Sequence, residues 1–212
     1  VLSATTIPQA WSMVEVDVTT LVALREKTKT EFKKREGSNL TYLAFILKAV
    51  AECLKSHPLV NSAWGGDSII LKRNINLGVA VATPEGLMVP VIKNADDRTV
   101  VDLAKDVEKM IAKARRCNLT LADVSSGTFT VNNTGALGSI IGKPLINPPQ
   151  AAIINTEAIV KRPVVVKETI SIRSIMNLCL TFDHRILDGA EASAFLTDLK
   201  QRLQKISSEI YF

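Results

Sequence analysis

The sequence predicts an α/β domain in which helices cover a mixed β-sheet. Some segments show the two-residue alternation of strands, and others show the wider apolar spacing of amphipathic helices. The strand-like segments occur in adjacent pairs, so the strict strand–helix alternation of a doubly wound sheet is absent. No repeat, low-complexity segment or clear linker divides the 212 residues. We therefore expect one compact domain over residues 1–212.

The first half of the chain begins with a strand predicted at 13–20, where every second residue of the first six is valine. A polar helix is predicted at 20–34. The segment 41–56 is apolar on most faces, which is typical of a buried helix. His57 ends that helix because Pro58 follows it, and we interpret this histidine as a helix cap. Three strands come next, with a Pro-Glu-Gly turn between the last two, at 68–72, 76–83 and 87–92.

The second half starts with an amphipathic helix predicted at 99–117. A strand at 127–131 leads into an irregular loop at 136–150, which is rich in glycine and proline. Three further strands are predicted at 151–160, 164–167 and 170–182. The alternation in the last of them changes phase near Arg173. A helix at 190–206 closes the fold.

The composition is that of an ordinary globular protein with a modest basic excess. The chain has 26 basic and 21 acidic residues and a net charge of +5. This excess could attract a polyanion such as nucleic acid or coenzyme A, but composition alone favours an ordinary solvated surface. The basic clusters are short and aromatic residues make up only 5%, which argues against a nucleic-acid partner. No apolar run approaches the ~20 residues that span a bilayer, so no membrane association is expected.

The cysteines indicate a reducing compartment. Cys53, Cys117 and Cys179 are odd in number and widely spaced, which suggests reduced thiols and neither a disulfide framework nor a zinc site. We expect no metal. The first residues lack the basic region and apolar core of a signal peptide. The expected location is the bacterial cytoplasm, or the mitochondrial matrix in a eukaryote.

One histidine is the main candidate for a catalytic residue. His184 follows the last predicted strand and precedes the final helix. Asp183, Arg185 and Asp188 make the intervening turn charged, and Gly189 permits a tight backbone there. An imidazole at the end of a strand can face a cleft, which suits a general base. The alternative is a histidine whose hydrogen bonds are satisfied within the turn.

A second candidate lies after the strand at 127–131. Asn132, Asn133 and Thr134 precede a glycine, which is typical of a turn. The same residues offer side-chain donors that could stabilise an oxyanion. The residues alone leave both interpretations open. The glycines of the 136–150 loop match neither the dinucleotide nor the P-loop spacing, so a nucleotide fold is poorly supported.

The segment Asp-His-Arg-Ile-Leu-Asp-Gly at 183–189 resembles the His-x-x-x-Asp-Gly signature of dihydrolipoamide acyltransferases and chloramphenicol acetyltransferases. Further segments are similar, in the same order, to the catalytic core of the 2-oxo acid dehydrogenase complexes. These are IPQAW at 7–11, GVAVAT at 78–83, VPVI at 89–92, GTFTVNNTG at 127–135 and PPQAAI at 148–153. NNTG at 132–135, with IVKRP at 159–163, is most similar to the bacterial branched-chain type.

This resemblance implies a chloramphenicol-acetyltransferase-like fold and an acyl transfer from a dihydrolipoyl thioester to coenzyme A. His184 would be the general base that deprotonates the thiol. Asn132 falls where the family has a serine or threonine hydroxyl that stabilises the oxyanion, and an amide N–H can make the same hydrogen bond. Asn133 and Thr134 are the alternatives. Asp188 would brace the turn through an arginine.

The resemblance also implies partners. The family forms homotrimers in which the histidine of one chain faces the oxyanion donor of its neighbour, and the trimers build cubic or dodecahedral cores. A decarboxylating dehydrogenase and dihydrolipoamide dehydrogenase complete the complex. The lipoyl and peripheral-subunit-binding domains of the family are absent from these 212 residues, so the lipoyl group would come from elsewhere. The apolar end, Ile210-Tyr211-Phe212, would insert into a neighbouring trimer.

Two other functions stay open at this stage. One is a small-molecule O-acetyltransferase of the chloramphenicol type, and the other is an oligomeric scaffold without catalytic activity. A serine hydrolase is poorly supported because no nucleophile elbow is present. The acyl group and the residues that line the coenzyme A channel do not follow from the sequence.

Overall fold

The computed structural model describes residues 2–206. The strands are β1 Gln9–Asp17, β2 Ser62–Trp64, β3 Ile69–Leu71, β4 Leu77–Val79, β5 Val81–Thr83, β6 Gly86–Met88, β7 Val91–Ile92, β8 Phe129–Asn132, β9 Ala152–Thr156, β10 Val160–Val166 and β11 Thr169–Asp183. The α-helices are α1 Leu2–Thr6, α2 Thr19–Glu36, α3 Tyr42–Ser56, α4 Val100–Arg115, α5 Leu121–Val124 and α6 Gly189–Gln204. Two short 3₁₀ helices lie at Ala95–Asp97 and Thr134–Leu137.

A seven-stranded mixed sheet forms the centre of the fold. Its strand order is β1-β11-β9-β8-β4-β7, and β10 pairs with the first part of β11. Strands β4, β8 and β9 run parallel to one another, and the other pairings are antiparallel. The predicted mixed sheet covered by helices is confirmed. Two hairpins, β2–β3 and β5–β6, lie outside this sheet.

The two faces of the sheet have different coverings because side chains alternate along each strand. One face is apolar. Leu178 and Leu180 of β11 belong to the same buried core as Phe195 and Leu199 of α6, and α3 packs beside α6. The other face is polar and lies beneath the 138–150 loop, where the Asn177 Nδ2 donates to the carbonyl of Ile140 at 2.7 Å. The loop therefore covers part of the polar face.

Several predicted boundaries were wrong. The strand predicted at 76–83 is two strands, because Ala80 interrupts it and β5 turns away to pair with β6. Pro90 similarly separates β6 from β7, since proline has no N–H to donate to a ladder. The phase change near Arg173 marks the point where β11 leaves its pairing with β10 and enters the main sheet at Ile175.

Other expectations were met or lie outside the described residues. The helices predicted at 20–34, 41–56, 99–117 and 190–206 are confirmed as α2, α3, α4 and α6. The first strand begins earlier than predicted, at Gln9. Within residues 2–206, no helix is long and apolar enough to cross a membrane. The apolar end Ile210-Tyr211-Phe212 lies outside the described residues.

Candidate functional site

His184 stands directly after β11, in the turn that joins this strand to α6. Its backbone N–H donates to the carbonyl of Pro8 at 2.9 Å, so the turn is tied to the start of β1. Its ring lies 5.9 Å from that of Phe182, centroid to centroid. The residue is exposed. The imidazole is therefore held by its backbone and is accessible to a ligand or to a neighbouring chain.

The turn around His184 is braced by the two residues that flank it. Asp183 is only 1% exposed, and the Arg185 guanidinium binds its carboxylate in two places, at 2.9 Å and 2.6 Å. The Arg185 backbone N–H donates to the same carboxylate. The guanidinium also lies 5.2 Å from the centre of the Trp64 ring, in cation–π geometry. These contacts fix the backbone on both sides of His184, and the sequence did not indicate them.

Asp188 caps the final helix. Its carboxylate accepts the backbone N–H of Ala190 at 2.7 Å and of Glu191 at 3.0 Å, and its own N–H donates to the Glu191 side chain. These hydrogen bonds, chiefly those with Glu191, lower the pKa of Asp188, and the charge of His184 acts in the same direction. No arginine within residues 2–206 contacts Asp188. Within the described residues of one chain, the hydrogen bonds of Asp188 go to the N-terminus of α6, and the expected arginine brace stays a prediction.

Gly189 does not use the conformational freedom that glycine provides. It is the first residue of α6, its φ is not left-handed, and an added Cβ would meet no atom within 4 Å. A tight backbone does not require glycine at this position.

Asn132 is the last residue of β8, at the end of the sheet opposite to the one that carries His184. Its side chain is partly exposed and makes no hydrogen bond within residues 2–206. It lines a largely apolar cavity of about 200 Å³ together with Leu43, Val81 and Ile111. A free amide that faces a cavity can donate an N–H to a ligand oxygen.

The two alternative donors have other partners. The Asn133 side-chain oxygen accepts the N–H of Ala136 at 3.2 Å and so caps the 3₁₀ turn. The Thr134 hydroxyl donates to the Glu157 carboxylate at 2.7 Å. Among the described residues, Asn132 is the candidate whose side chain makes no intramolecular hydrogen bond, whereas the Asn133 bond occupies only the amide oxygen.

His184 and Asn132 do not meet within one chain. Asn132 pairs with Asn155 on β9, and Asn155 pairs with Cys179 on β11, five residues before His184. With a rise of ~3.3 Å per residue and ~4.8 Å between strands, the two backbones lie on the order of 20 Å apart. They stand at opposite ends of the sheet. A site that uses both side chains requires two chains.

Two of the cavities lie near the Asn132 end of the sheet. A second cavity of about 360 Å³ is lined by Arg25, Thr41, Asn133, Thr156 and Glu157, among others. It lies at the carboxyl ends of the parallel strands β8 and β9, where ligands commonly bind in open α/β sheets. The sequence indicated Asn133 alone among the named residues, because the others come from segments far apart in the chain.

Glu157 packs closely beneath the turn that follows Asn132. It is 2% exposed, and it accepts hydrogen bonds from Thr134 and from the Asn155 amide. Gly135 passes so near that an added Cβ would overlap the Glu157 carbonyl group. The turn is therefore held in place by a buried carboxylate.

The remaining sequence candidates are structural. His57 caps α3 through its N–H, as predicted, and its Nε2 lies 3.3 Å from Asp198. Cys53 and Cys179 are buried, whereas Cys117 is exposed just after α4, and all three are free thiols. Burial, with the charge of Asp198 second, raises the pKa of Cys53. No cluster of three or more metal-binding side chains occurs among residues 2–206.

The comparisons with known proteins agree over nearly the whole chain. A family model described as 2-oxoacid dehydrogenases acyltransferase (catalytic domain) matches residues 1–210. The lipoamide acyltransferase component of the branched-chain alpha-keto acid dehydrogenase complex of Bacillus subtilis is 52% identical over 208 residues, which are 98% of this chain and 49% of that protein. The chain thus spans between about a third and a half of the length of the curated relatives it matches.

Solved structures give the same result. A probable dihydrolipoamide acetyltransferase from Listeria monocytogenes matches with a TM-score of 0.97 and 50% identity, covering 100% of this chain and 90% of that one. The cubic core of a pyruvate dehydrogenase multienzyme complex matches with a TM-score of 0.93 and 33% identity, covering 96% and 84%. Chloramphenicol acetyltransferase, at 14% identity and a TM-score of 0.60 over 93% and 89%, shares the fold. The predicted chloramphenicol-acetyltransferase-like fold is confirmed.

One further structure concerns catalytic residues. The dihydrolipoamide acetyltransferase of Azotobacter vinelandii matches with a TM-score of 0.93 and 32% identity, covering 96% of this chain and 84% of that one. It was solved to examine the role of one serine, one histidine and one asparagine in the catalytic mechanism of that enzyme.

Proposed function

Because the chain belongs to the acyltransferase family of the 2-oxoacid dehydrogenases, as its catalytic domain, we propose that it transfers an acyl group from a dihydrolipoyl thioester to the thiol of coenzyme A. The observation that carries the proposal is the exposed imidazole of His184 on a braced turn at the end of β11. A general base needs this combination of access and a fixed position.

The spacing of the Azotobacter residues supports the assignment of roles. In that enzyme the serine lies 52 positions before the histidine, and the asparagine lies four positions after it. The same separations from His184 lead to Asn132 and Asp188 in this chain. We assign oxyanion stabilisation to Asn132, and to Asp188 the support of the turn through the α6 cap.

The reaction then proceeds in two steps. His184 takes the proton of the coenzyme A thiol, and the resulting thiolate attacks the thioester carbonyl carbon. The tetrahedral oxyanion accepts an N–H from the Asn132 amide. When the intermediate collapses, the carbon–sulfur bond to the dihydrolipoyl group breaks. The leaving thiolate recovers the proton from His184, and acyl-coenzyme A is released.

The active site would lie between two chains, since the two side chains stand at opposite ends of one sheet. His184 of one chain faces Asn132 of the next in this proposal. When chains associate head to tail in a closed ring, every chain contributes its His184 to one site and its Asn132 to another, and a trimer is such a ring. The match to a cubic core supports assembly of trimers into a larger core, with the decarboxylating dehydrogenase and dihydrolipoamide dehydrogenase as partners in the complex.

The remaining assignments rest on the relatives. The Bacillus subtilis relative is a component of a branched-chain alpha-keto acid dehydrogenase complex, which supports a branched-chain acyl group for this chain. Because the chain spans about half of that relative, we propose that a domain outside these 212 residues presents the lipoyl group and that residues 1–212 form one catalytic domain. Three free thiols support a reducing compartment, either the bacterial cytoplasm or the mitochondrial matrix.

Replacing His184 tests the proposal. In the assembled protein, His184→Ala should lower acyl transfer from isobutyryl-dihydrolipoamide to coenzyme A by ~10²–10⁴-fold while the fold persists. Asn132→Ala should lower kcat by ~10²-fold or more, with an unchanged KM. His57→Ala is the matched control, because His57 contacts Asp198 in the helical layer and should leave kcat unchanged. Full turnover in His184→Ala would remove this residue from the mechanism.

A further inference from the structure

A cavity of about 480 Å³ lies between the end of α3, the end of β3 and the segment that leads into β4. Strand β4 runs parallel to β8, so its amino end is opposite to the end of the sheet that carries Asn132. The cavity shares no lining residue with those that Asn132 and Asn133 line, and neither His184 nor its turn borders it. It is therefore separate from the residues to which acyl transfer is assigned.

Asn61 is the almost completely buried polar residue of this cavity, with 1% of its surface exposed. Its Nδ2 donates to the carbonyls of Lys72 at 2.9 Å and of Asn74 at 3.0 Å, which fixes the orientation of the amide. Its Oδ1 accepts no hydrogen bond within residues 2–206. A buried acceptor without a donor destabilises the fold, so this position favours a ligand that brings an O–H or N–H group.

The cavity also carries a surplus of positive charge. Lys55 is neutralised by Asp96, whose carboxylate lies 3.0 Å from the lysine Nζ. Lys72 and Arg73 line the same cavity. Among the described residues, neither of these two side chains forms an ion pair or a hydrogen bond. Two unpaired cations beside one cavity attract an anion.

Much of the remaining lining is aliphatic. Leu54 and Ile75 are nearly buried, whereas Leu71 is 55% exposed and Pro58 is also accessible. A ligand with a short hydrocarbon chain would remove this apolar surface from water. Inorganic anions have no such chain, so the lining favours an organic anion.

We propose that this cavity binds a small aliphatic 2-hydroxy acid. The carboxylate pairs with Lys72 and Arg73, the neighbouring hydroxyl donates to Asn61 Oδ1, and the hydrocarbon chain packs against Leu54 and Leu71. A neutral hydroxyl suits the site better than an ammonium group, because an ammonium would add to the surplus of cations. The inference goes beyond the proposed function and does not depend on it.

A set of matched probes tests each contact. 2-Hydroxyhexanoate has all three features, hexanoate lacks the hydroxyl donor, and glycolate lacks the hydrocarbon chain. Saturation-transfer NMR on the assembled full-length protein measures their binding without any turnover. For 2-hydroxyhexanoate we expect a Kd of about 1 mM, which is ordinary for a ligand of this size. Hexanoate and glycolate should each bind about fivefold or more weakly.

The charged contacts are tested by substitution. The double variant Lys72→Gln with Arg73→Gln should raise the Kd for 2-hydroxyhexanoate about tenfold, because charge-assisted hydrogen bonds are lost. The midpoint of thermal unfolding should stay unchanged, since neither side chain has a partner in the fold. The control variant, Lys27→Gln with Lys109→Gln, removes two exposed charges outside the cavity and should leave the Kd unchanged.

The Asn61 contact is tested on the ligand. Substitution of Asn61 would also release the carbonyls of Lys72 and Asn74, so a loss of binding could come from a disturbed turn. Comparison of hexanoate with 2-hydroxyhexanoate removes the hydrogen bond to Oδ1 and leaves the protein intact. Equal binding of the two acids would exclude Asn61 from the site and overturn the proposal.

Three other results would also overturn it. An unchanged Kd in the Lys72 and Arg73 double variant would show that the acid binds elsewhere. Inorganic phosphate that binds as tightly as 2-hydroxyhexanoate would reduce the cavity to an unselective anion site. Displacement of 2-hydroxyhexanoate by coenzyme A would place the acid in the acyl-transfer site.

The same double variant keeps this inference apart from the proposed function. Its kcat and its KM for coenzyme A should equal those of the wild type, because Lys72 and Arg73 have no part in the proposed reaction. If 2-hydroxyhexanoate binds as expected and no acyl transfer occurs, the cavity stands and the proposed reaction fails. If acyl transfer occurs and 2-hydroxyhexanoate does not bind, the cavity fails alone.

Discussion

Mixing two inactive variants should restore activity if the active site is divided between chains. His184→Ala keeps Asn132, and Asn132→Ala keeps His184, so each variant lacks one half of every site. Within one chain the backbones of the two residues lie on the order of 20 Å apart, so their side chains cannot act on the same carbonyl carbon. In a mixed oligomer, a chain of one variant can complete a chain of the other.

The expected recovery follows from the ring geometry. In a closed ring, each site takes His184 from one chain and Asn132 from the next. With equal amounts of both variants and random assembly, about a quarter of the sites have both side chains intact. The co-expressed variants should therefore reach about 25% of wild-type turnover, whereas each variant alone stays ~10²-fold or more below it.

A second mixture provides the control. Wild type co-expressed with the double variant should also retain about a quarter of full turnover if sites span two chains, but about half if each chain is complete. Steady-state transfer to coenzyme A measures both mixtures, and native mass spectrometry verifies that mixed oligomers form. Turnover in the first mixture equal to the mean of the two parents would refute the divided site.

Three further outcomes test the supports of the site. Gly135→Ala should destabilise the fold by about 1–3 kcal/mol in urea unfolding, because the new methyl overlaps the Glu157 carbonyl, whereas Gly189→Ala enters open space and should be near neutral. Arg185→Lys loses the bidentate hydrogen bond to the buried Asp183 carboxylate, so it should lower kcat several-fold and leave KM unchanged. An unaffected kcat would show that Arg185 is not needed to hold the turn around His184. Burial raises the pKa of Cys53, so above the ordinary thiol pKa near 8.5 the unfolded chain loses the Cys53 proton while the folded chain keeps it. The free energy of unfolding, measured in urea, should therefore fall by at most about 1.4 kcal/mol per pH unit in that range. In Cys53→Ala the free energy of unfolding should depend less on pH.

The sequence predicted the elements with strong periodicity and missed those that depend on distant contacts. The apolar segment at 41–56 became α3 almost unchanged, because most of its faces are buried. The single strand expected at 76–83 is two strands, because β4 pairs with β8 whereas β5 pairs with β6. Pairing of strands that lie 50 residues apart leaves no local signal.

The candidate site shows the same limit. His184 was singled out by its position after a strand, which is local information. The position after a strand indicated the Asn132–Thr134 segment, but only the family resemblance selected Asn132 within it. The Arg185–Asp183 brace and the contact with Trp64 required coordinates, since Trp64 lies 121 positions before Arg185. Glu157 gave no sequence signal because its role depends on burial beneath the turn at 134–137.

A site divided between chains, as proposed, would also account for the exposed apolar side chains of the loop above the polar face of the sheet. The loop at 138–150 exposes Ile140, Ile141 and Leu145, each at least half accessible, and the Trp11 indole donates to the Gly142 carbonyl on the same loop. Exposed apolar residues grouped in this way mark a surface for another chain. The loop borders the start of β1, where Pro8 holds His184. A neighbour packed on this loop would bring its own cavities to the imidazole, so association and catalysis would depend on the same surface.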